Sequence, residues 1–326
     1  MIAPAKGAGD LRLCLHLFKR KKNQKILPAV LAAIFIRRHD LHLHPCCACC
    51  HPDINNSIFP AEGICYNRSE GPPVEMRPQR CVMRIAVIAD IHSNLEALQV
   101  VLERIHALNA DEIVCLGDIV GYNANPNECV DIVRNEKILS VLGNHDAAAS
   151  GLEEPYRFNA IARMAVLWTR EQLTEENRTF LRELPREKRV HDCFLFHGSI
   201  HDTNRYILSR SDAEASFQSL TGLPGALKLG FFGHTHVRTA FIDRQGVVSQ
   251  EQSLDCSLSS AKRYLVNPGS VGQPRDGDPR ASFLVYDRDD RMVQFFRLEY
   301  DIKRCQDRII QAGLPSQLAE RLEWGQ

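Results

Sequence analysis

The sequence predicts an α/β fold in which two β-sheets pack face to face and helices cover their outer surfaces. Between residues 83 and 184, short apolar runs alternate with segments whose apolar residues recur at helical spacing. From residue 193 onward, apolar runs of strand length predominate. Strands and helices in alternation, followed by a strand-rich segment, are typical of sheets stacked in layers with helices outside.

In the first half of this region, the pattern predicts three strands, at residues 85–89, 111–116 and 138–142. Leu95, Leu98, Leu102, Ile105 and Leu108 follow the first strand at helical spacing. Ser93 or Asn94 is expected to cap this helix, because a short polar side chain can accept a hydrogen bond from a free N–H at a helix start. Further helices are predicted at 126–133 and at 159–184, the latter with one or two breaks.

In the second half, strands are predicted at 193–196, 229–232, 263–266, 282–286 and 292–298. Asp289 and Asp290 lie between the last two strands and are expected to form their turn. A short helix is predicted at 211–219, and one amphipathic helix is predicted from about 301 to 322. No internal repeat and no long linker follows residue 83.

The charge balance gives no sign of a nucleic-acid or membrane partner, because 40 Lys and Arg balance 40 Asp and Glu. The five cysteines after residue 83 are scattered through the sequence, at positions 115, 129, 193, 256 and 305. Such scattering does not resemble a disulfide framework, so we expect a reducing compartment, the cytoplasm.

The first 82 residues differ from the rest, with 12 basic against 6 acidic side chains and 7 of the 12 cysteines. The apolar run 26–36 is too short to span a bilayer as a helix. The cysteines and histidines of 42–51 match no common zinc spacing. We predict that 1–82 is upstream sequence translated from a wrongly chosen start and that the functional domain is 83–326. A disordered extension and a targeting segment are the alternatives.

Potential metal ligands follow five of the predicted strands: Asp90 with His92, Asp118, Asn144, His197, and His234 with His236. Residues i and i+2 of an extended backbone point to the same side, so the first pair is expected to point at one spot. Seven oxygen and nitrogen ligands without sulfur suit two divalent cations, such as manganese, iron or zinc. Asp118 is the carboxylate expected to bridge them.

Each of these motifs alone has an ordinary structural explanation. A single Asp-X-His is commonly a surface pair, and Gly-Asn-His-Asp is a common turn sequence. A histidine after an apolar strand, such as His197, is commonly a buried residue with its hydrogen bonds satisfied. Together, in this order and each at a strand end, they indicate a dinuclear metal centre.

The motifs Asp90-X-His92, Gly117-Asp118, Gly143-Asn144-His145-Asp146, His197 and Gly233-His234-X-His236 resemble those of the calcineurin-like metallophosphoesterase superfamily, over residues 83 to about 300. The resemblance implies a four-layer αββα sandwich of two mixed sheets flanked by helices. It also implies that Asp90, His92, Asp118 and His236 hold one metal. Asn144, His197 and His234 would complete a second metal site, which Asp118 bridges to the first. His145 would contact the phosphate and help to protonate the leaving oxygen.

The sequence departs from the family pattern after the Gly-Asp motif. Many members carry Asp, or Asp-Arg, three positions on, and that Asp orients the catalytic histidine; here Gly121 and Tyr122 follow. This disfavours a Ser/Thr protein phosphatase. The chain resembles instead a small bacterial phosphodiesterase branch related to diadenosine tetraphosphatases. Asn267, Gly269 and Arg275 are predicted to hold phosphate oxygens, and the alternative is a plain strand-ending turn with a solvated arginine.

The expected function is hydrolysis of a phosphodiester, phosphoanhydride or small organophosphate. A metal-bridging hydroxide would attack phosphorus in line, while the two metals and His145 offset the developing charge. We expect a small phosphorylated substrate as partner, with no specific nucleic acid and no membrane. The alternatives are a non-catalytic scaffold on the same fold and a Ser/Thr protein phosphatase.

Overall fold

Strands and helices alternate in the first half of the chain, and strands predominate in the second. The computed structural model describes residues 83–251 and 255–326. Within these residues the strands are β1 (Arg84–Ile88), β2 (Glu112–Cys115), β3 (Leu139–Ser140), β4 (Glu187–Val190), β5 (Cys193–Phe196), β6 (Leu229–Phe231), β7 (Arg238–Arg244), β8 (Val247–Glu251), β9 (Cys256–Ser257), β10 (Arg263–Pro268), β11 (Ala281–Asp287) and β12 (Met292–Leu298). The helices are α1 (Leu95–Ala107), α2 (Pro126–Asn135), α3 (Asn144–Ser150), α4 (Ala160–Gln172), α5 (Glu175–Glu183), α6 (Arg210–Gly222), α7 (Ile302–Gln311) and α8 (Ser316–Glu320), followed by a 3-10 turn, Arg321–Glu323.

The strands form two mixed sheets. In the first, the described strands have the order β3-β2-β1-β11-β12-β9, and in the second β4-β5-β6-β10-β7-β8. In the first sheet β1 is parallel to β2 and antiparallel to β11. In the second, β6 is parallel to β5 and β10, whereas β7 is antiparallel to β10. The predicted α/β class with two mixed sheets is confirmed.

Side chains of β1 alternate between two apolar environments. Ile85 and Val87 are buried in a cluster that includes Phe231 of the second sheet. Ala86 and Ile88 pack into a different cluster with residues of α1 and α2. Successive strand residues face opposite sides, so one side of β1 meets the other sheet and the other side meets helices. Burying each large apolar side chain of this kind contributes about 1.5–3 kcal/mol.

Helices cover the outer face of each sheet, which gives the four layers of an αββα sandwich. On the second sheet, Phe217 and Leu220 of α6 pack with Phe196 and Phe241. On the first, α1 and α2 supply the covering apolar residues. Residues of α7 and α8 pack with α4 in a further cluster around Ile309 and Leu318.

Two details of the helices agree with the sequence prediction. The Asn94 side chain accepts a hydrogen bond from the backbone N–H of Ala97 at 3.0 Å and caps α1. The predicted helical region at 159–184 is broken once, between α4 and α5, where Thr174 caps the second helix.

The turn between β11 and β12 lies where Asp289 and Asp290 predict it.

The prediction of one C-terminal helix is wrong. Helix α7 ends at Gln311, and Gly313 has a φ of +72°, a conformation that no α-helix continues through. Pro315 then sets the start of the separate helix α8. Helix α3 and strands β4, β7, β8 and β9 were not predicted.

Two predictions lie outside the described residues: the non-native or disordered character of 1–82, and the poor fit of the 42–51 cysteines and histidines to a zinc site. Both remain predictions. Among residues 83–251 and 255–326, every helix is too short or too polar to cross a lipid bilayer.

Candidate metal centre

The predicted ligands meet at one edge of the sandwich, where parallel strands of both sheets end. Asp90 and Asp118 follow β1 and β2, which are parallel in the first sheet. His197 and His234 follow β5 and β6, which are parallel in the second. The carboxyl ends of parallel strands are the common location of ligand sites in α/β proteins. Asn144 comes from the first residue of α3.

Five of these ligands leave their strands in left-handed backbone conformation, with φ of 54° at Asp90, 48° at His92, 54° at Asp118, 67° at His234 and 60° at His236. This region is sparsely populated by residues other than glycine and costs on the order of 1–3 kcal/mol each. The expectation of extended backbone at Asp90 and His92 is therefore wrong, because β1 already ends at Ile88. Their convergence on one spot is confirmed, but it is produced by tight turns.

Backbone hydrogen bonds between the ligand loops hold these strained turns. The N–H of His92 donates to the carbonyl of Asp118 at 2.9 Å, and the N–H of Asp90 donates to Gly117 at 3.1 Å. The N–H of Gly233 donates to the carbonyl of His197 at 2.8 Å. Each loop is thus fixed by another ligand loop, so the ligands are positioned together.

Close approach of the β2 and β3 ends requires two glycines. A Cβ on Gly143 would lie 2.1 Å from Oδ1 of Asp118, and one on Gly117 would lie 2.6 Å from the backbone N of Gly143. Both distances are far below van der Waals contact, so no larger residue fits here without moving Asp118. With both glycines in place, Asp118 Oδ1 accepts a hydrogen bond from the N–H of His145 at 2.8 Å.

The first group of potential ligands comprises Asp90, His92, Asp118 and His236, whose ligand atoms lie within 4.8 Å of one another. All four side chains are buried. The Nε2 atoms of His92 and His236 are 3.1 Å apart. Asp90 Oδ1 lies 3.4 Å from Nε2 of His236, and Asp118 Oδ2 lies 3.6 Å from Nε2 of His92.

Carbonyl oxygens behind the two imidazoles determine which ring nitrogen carries the proton. Nδ1 of His92 lies 3.1 Å from the carbonyl of Val120, and Nδ1 of His236 lies 2.6 Å from that of Gln273. A carbonyl only accepts, so each Nδ1 carries the hydrogen and each Nε2 presents a lone pair. Two lone pairs therefore face each other beside two carboxylates, an arrangement that a cation between them satisfies.

The second group comprises Asp118, His197 and His234, again within 4.8 Å, and the Asn144 side chain lies beside it. Nδ1 of His197 donates to the carbonyl of Leu116 at 2.8 Å. Its Nε2 lies 3.2 Å from Asp118 Oδ2 and 3.1 Å from Asn144 Oδ1. His234 presents the opposite ring nitrogen to the site. Its Nε2 donates to the carbonyl of Asn204 at 3.3 Å, which leaves the Nδ1 lone pair for a metal. Asp118 belongs to both groups.

The charges of this buried cluster are strongly perturbed. Burial lowers the pKa of His92 and His236 well below the ordinary value, which keeps both rings neutral. Burial raises the pKa of Asp90 to about 7. Burial alone would also raise the pKa of Asp118, but the nearby His197 holds it low. Asp118 in turn overcomes the burial of His197 and raises its pKa to about 9.

The donor set fits two divalent cations. Two carboxylates, an amide oxygen and four imidazoles are oxygen and nitrogen donors suited to borderline or hard metal ions. The neutral imidazoles of His92, His234 and His236 each have a lone pair available, since burial also lowers the pKa of His234, to about 3. A cation between the groups would offset the buried negative charge at lower cost than leaving it uncompensated.

His145, Tyr122 and Arg275 form one layer beside these ligands. The Tyr122 ring lies 4.4 Å from that of His145 and 4.6 Å from that of His92, measured between ring centroids. Its hydroxyl accepts a hydrogen bond from the Arg275 guanidinium at 3.2 Å, and Gln273 Oε1 accepts a second at 2.9 Å. Nδ1 of His145 is buried and has no hydrogen-bond partner among the described residues.

The profile of the calcineurin-like phosphoesterase superfamily domain matches residues 83–291. The chain belongs to the calcineurin-like phosphoesterase superfamily.

A crystallised metallophosphoesterase from Sphaerobacter thermophilus is 40% identical, with a TM-score of 0.66, and the match covers 75% of this chain and 99% of that one. An uncharacterized protein of Methanocaldococcus jannaschii is 40% identical over 248 residues, which are 74% of this chain and 98% of that protein. A hypothetical protein from Pyrococcus horikoshii shares the fold, at 23% identity and a TM-score of 0.63 over 75% of this chain and 99% of that one.

The absence of an acidic residue three positions after Asp118 has a steric explanation. Gly121 stands where many members carry the orienting Asp, and a Cβ there would lie 2.4 Å from Nδ1 of His145. The histidine ring occupies the space that such a side chain would need. Its ring contacts are aromatic: Tyr122 on one side and Phe158, with centroids 4.6 Å apart, on another. Packing therefore orients His145 in this chain.

The three residues predicted to hold phosphate, Asn267, Gly269 and Arg275, have different roles in the structure. Asn267 is fully buried, and its amide donates to the carbonyl of Gly233 at 2.7 Å and to Thr235 at 3.1 Å. It thus uses both amide hydrogens to fix the turn that carries His234. A Cβ on Gly269 would lie 2.9 Å from Arg238, so this glycine permits close packing. Arg275 differs from these two, because its guanidinium donates a hydrogen bond to Tyr122, whose ring packs on that of His92.

Sequence reasoning missed three residues that support the site. Tyr122 departs from the family motif, but its contact with Arg275, 153 positions away, leaves no local signal in the sequence. Asp146 accepts hydrogen bonds from the backbone N–H groups of Val120 and Gly143, each at 3.1 Å, and ties two ligand loops together. Tyr206 stacks on His234 with ring centroids 3.8 Å apart.

Proposed function

We propose that this protein hydrolyses phosphate esters with two divalent metal ions bound at the centre described above. The observation that carries the proposal is Asp118, which belongs to two buried groups of potential ligands at once. Asp90, His92 and His236 would complete one site, and Asn144, His197 and His234 the other. Two such cations supply Lewis-acid stabilisation of phosphoryl oxygens and lower the pKa of bound water toward neutrality.

Arg275 and His145 are the residues we assign to the phosphate. The Arg275 guanidinium is held against Tyr122 and Gln273, and its buried Nε has no hydrogen-bond partner among the described residues. A guanidinium held in this way suits binding of a phosphoryl oxygen. The His145 ring lies 4.8 Å from that of the ligand His92, between centroids, a position that suits a hydrogen bond to the phosphate and proton delivery to the leaving oxygen.

The proposed substrate is a phosphodiester, phosphoanhydride or small organophosphate, and manganese is the metal we would supply first. We place the reaction in the cytoplasm, a proposal supported by the free thiols of Cys115, Cys129, Cys193 and Cys305. A protein phosphatase is the less favoured alternative, because among the described residues no acidic side chain bonds to the His145 ring. A non-catalytic scaffold is the alternative from another class.

The test is turnover of bis(4-nitrophenyl) phosphate by the full chain with Mn²⁺, together with the metal content of the protein. We expect hydrolysis, and about two metal ions bound per chain. Asp118→Asn removes the bridging charge and is expected to abolish turnover and to lower the metal content. Asp131→Asn is the matched control, since Asp131 is an exposed residue of α2 that pairs with Arg134.

If no divalent ion gives turnover and none binds, the proposal is wrong and the non-catalytic scaffold is favoured. Retained turnover in Asp118→Asn would show that the assignment of the bridging residue is wrong. Turnover of phosphopeptides in preference to diesters would favour the protein phosphatase.

A further inference from the structure

A cleft of about 480 Å³ opens directly beside the second ligand group, with Asn144 in its lining. One wall is the segment between α3 and α4, which contributes Tyr156, Arg157 and Phe158. A second wall is formed by residues 201–204. The volume is that of a small-molecule site and is much larger than a phosphate group needs.

Both walls are attached to the metal centre. The Phe158 ring lies 4.6 Å from the ring of His145, between centroids. On the other side, the Asn204 carbonyl accepts the hydrogen bond from Nε2 of His234 at 3.3 Å. A group attached to a phosphate at the metal centre would therefore be within reach of this cleft.

The charges of the lining argue against a chain of further phosphates. Three carboxylates line the cleft, at Glu153, Glu154 and Asp202. Two of them are neutralised by arginines, since Glu153 pairs with Arg186 at 2.7 Å and Glu154 pairs with Arg170 at 3.0 Å. Arg157 is the one lining arginine that has no carboxylate partner among the described residues. A cleft so balanced favours an uncharged group over a polyanion.

An aromatic side chain is available in the cleft for stacking. Tyr156 is 80% exposed, although an aromatic ring of this size is normally mostly buried. Phe158, next but one in the chain, adds a second ring to the same wall. Two rings beside paired polar groups suit a flat aromatic ligand with hydrogen-bonding edges, as a nucleobase has.

We propose that this cleft binds an uncharged aromatic group attached to the phosphate, with Tyr156 as its stacking platform. The preferred substrate is then a phosphodiester that carries a nucleoside or a similar aromatic group, in preference to a polyphosphate anhydride. This inference rests on the proposed function, because it takes the metal centre as the place where the phosphate binds.

The first test is equilibrium binding to the manganese-loaded full chain. Thymidine 5′-monophosphate and methyl phosphate present the same phosphate, with and without an aromatic group. We expect the nucleotide to bind at least about tenfold more tightly, as base stacking predicts. Tyr156→Ala should remove this difference and Tyr156→Phe should keep it. Val247→Ala, an exposed residue of β8 outside the cleft, is the control.

The second readout is the rate of hydrolysis of thymidine 5′-(4-nitrophenyl) phosphate against methyl 4-nitrophenyl phosphate. Equal binding of the two phosphates by the unaltered protein, or an unchanged preference in Tyr156→Ala, would overturn the inference. If neither ester is hydrolysed but the nucleotide still binds more tightly than methyl phosphate, the proposed function is overturned. The assignment of the cleft to an aromatic group would then still hold.

Discussion

Asp118 is the residue on which the geometry of the site depends. Its Oδ1 accepts the N–H of His145, while its Oδ2 faces Nε2 of both His92 and His197. The sequence was sufficient to single out seven residues that lie together here, because each follows an apolar strand; that they bind metal stays a prediction. It was not sufficient to predict how they converge, since left-handed backbone at a non-glycine residue has no reliable sequence signal.

Tyr122 is the residue whose importance is visible only in three dimensions. It is buried, has a φ of 60°, and packs between His145 and the Arg275 guanidinium. Holding a tyrosine in this conformation has an energetic cost, and such strain is concentrated at functional sites. We interpret Tyr122 as the residue that positions Arg275.

Tyr122→Phe is expected to lower kcat/KM for a phosphodiester by roughly tenfold to a hundredfold. A hydrogen bond to a charged group contributes about 1.5–3 kcal/mol, and 1.4 kcal/mol corresponds to a factor of ten. Most of the loss should appear as a raised KM, because Arg275 is assigned to binding the phosphate. Steady-state kinetics measure both parameters.

Metal content is the control for this variant, since Tyr122 is not a ligand and the phenylalanine ring retains the packing. A KM equal to that of the unaltered protein would contradict the positioning role. Loss of metal together with activity would show that the substitution acts by disturbing the ligands.

At the scale of elements, the site depends on loops more than on the strands that precede them. Each apolar strand was predictable because its residues are buried on both faces, as in β1 and β5. Strand β7 was missed because its apolar run is only three residues long, at 240–242, and β8 was missed because its two valines are followed by three polar residues. Helix α3 was missed because it is only seven residues long, and because Gly143 before it and Asn144 at its start resemble a turn.

Gly143→Ala tests whether the ends of β2 and β3 must approach closely. The added Cβ would lie 2.1 Å from Asp118 Oδ1 and 2.2 Å from the Asp118 backbone N. We expect a loss of about 1–3 kcal/mol in the free energy of unfolding, as for other overpacked sites. Metal affinity should fall as well, because Asp118 has to move. Denaturant unfolding and metal titration measure the two effects.

Gly222→Ala is the matched control, because it lies at the end of α6 with no atom within 4 Å of the added Cβ. It should leave metal affinity unchanged and alter stability by no more than about 1 kcal/mol. Equal effects of the two substitutions would contradict the close-approach argument.

At the scale of the whole molecule, the sandwich brings together residues that are far apart in the sequence. Asp90 and His236 are separated by 146 positions, yet their ligand atoms are 3.4 Å apart. Alternating apolar residues were enough to predict two sheets with helices outside, since that pattern follows from burial alone. The order of strands within each sheet was not predictable, because pairs such as β1 with β11 depend on contacts distant in the chain.

The most direct test of the dinuclear centre is anomalous X-ray diffraction from crystals of the protein grown with Mn²⁺, recorded on both sides of the manganese absorption edge. We predict two peaks about 3.5–4 Å apart. One should contact Asp90, His92 and His236, the other Asn144, His197 and His234, and Asp118 should contact both. A single peak, or two peaks that do not share Asp118, would contradict the account.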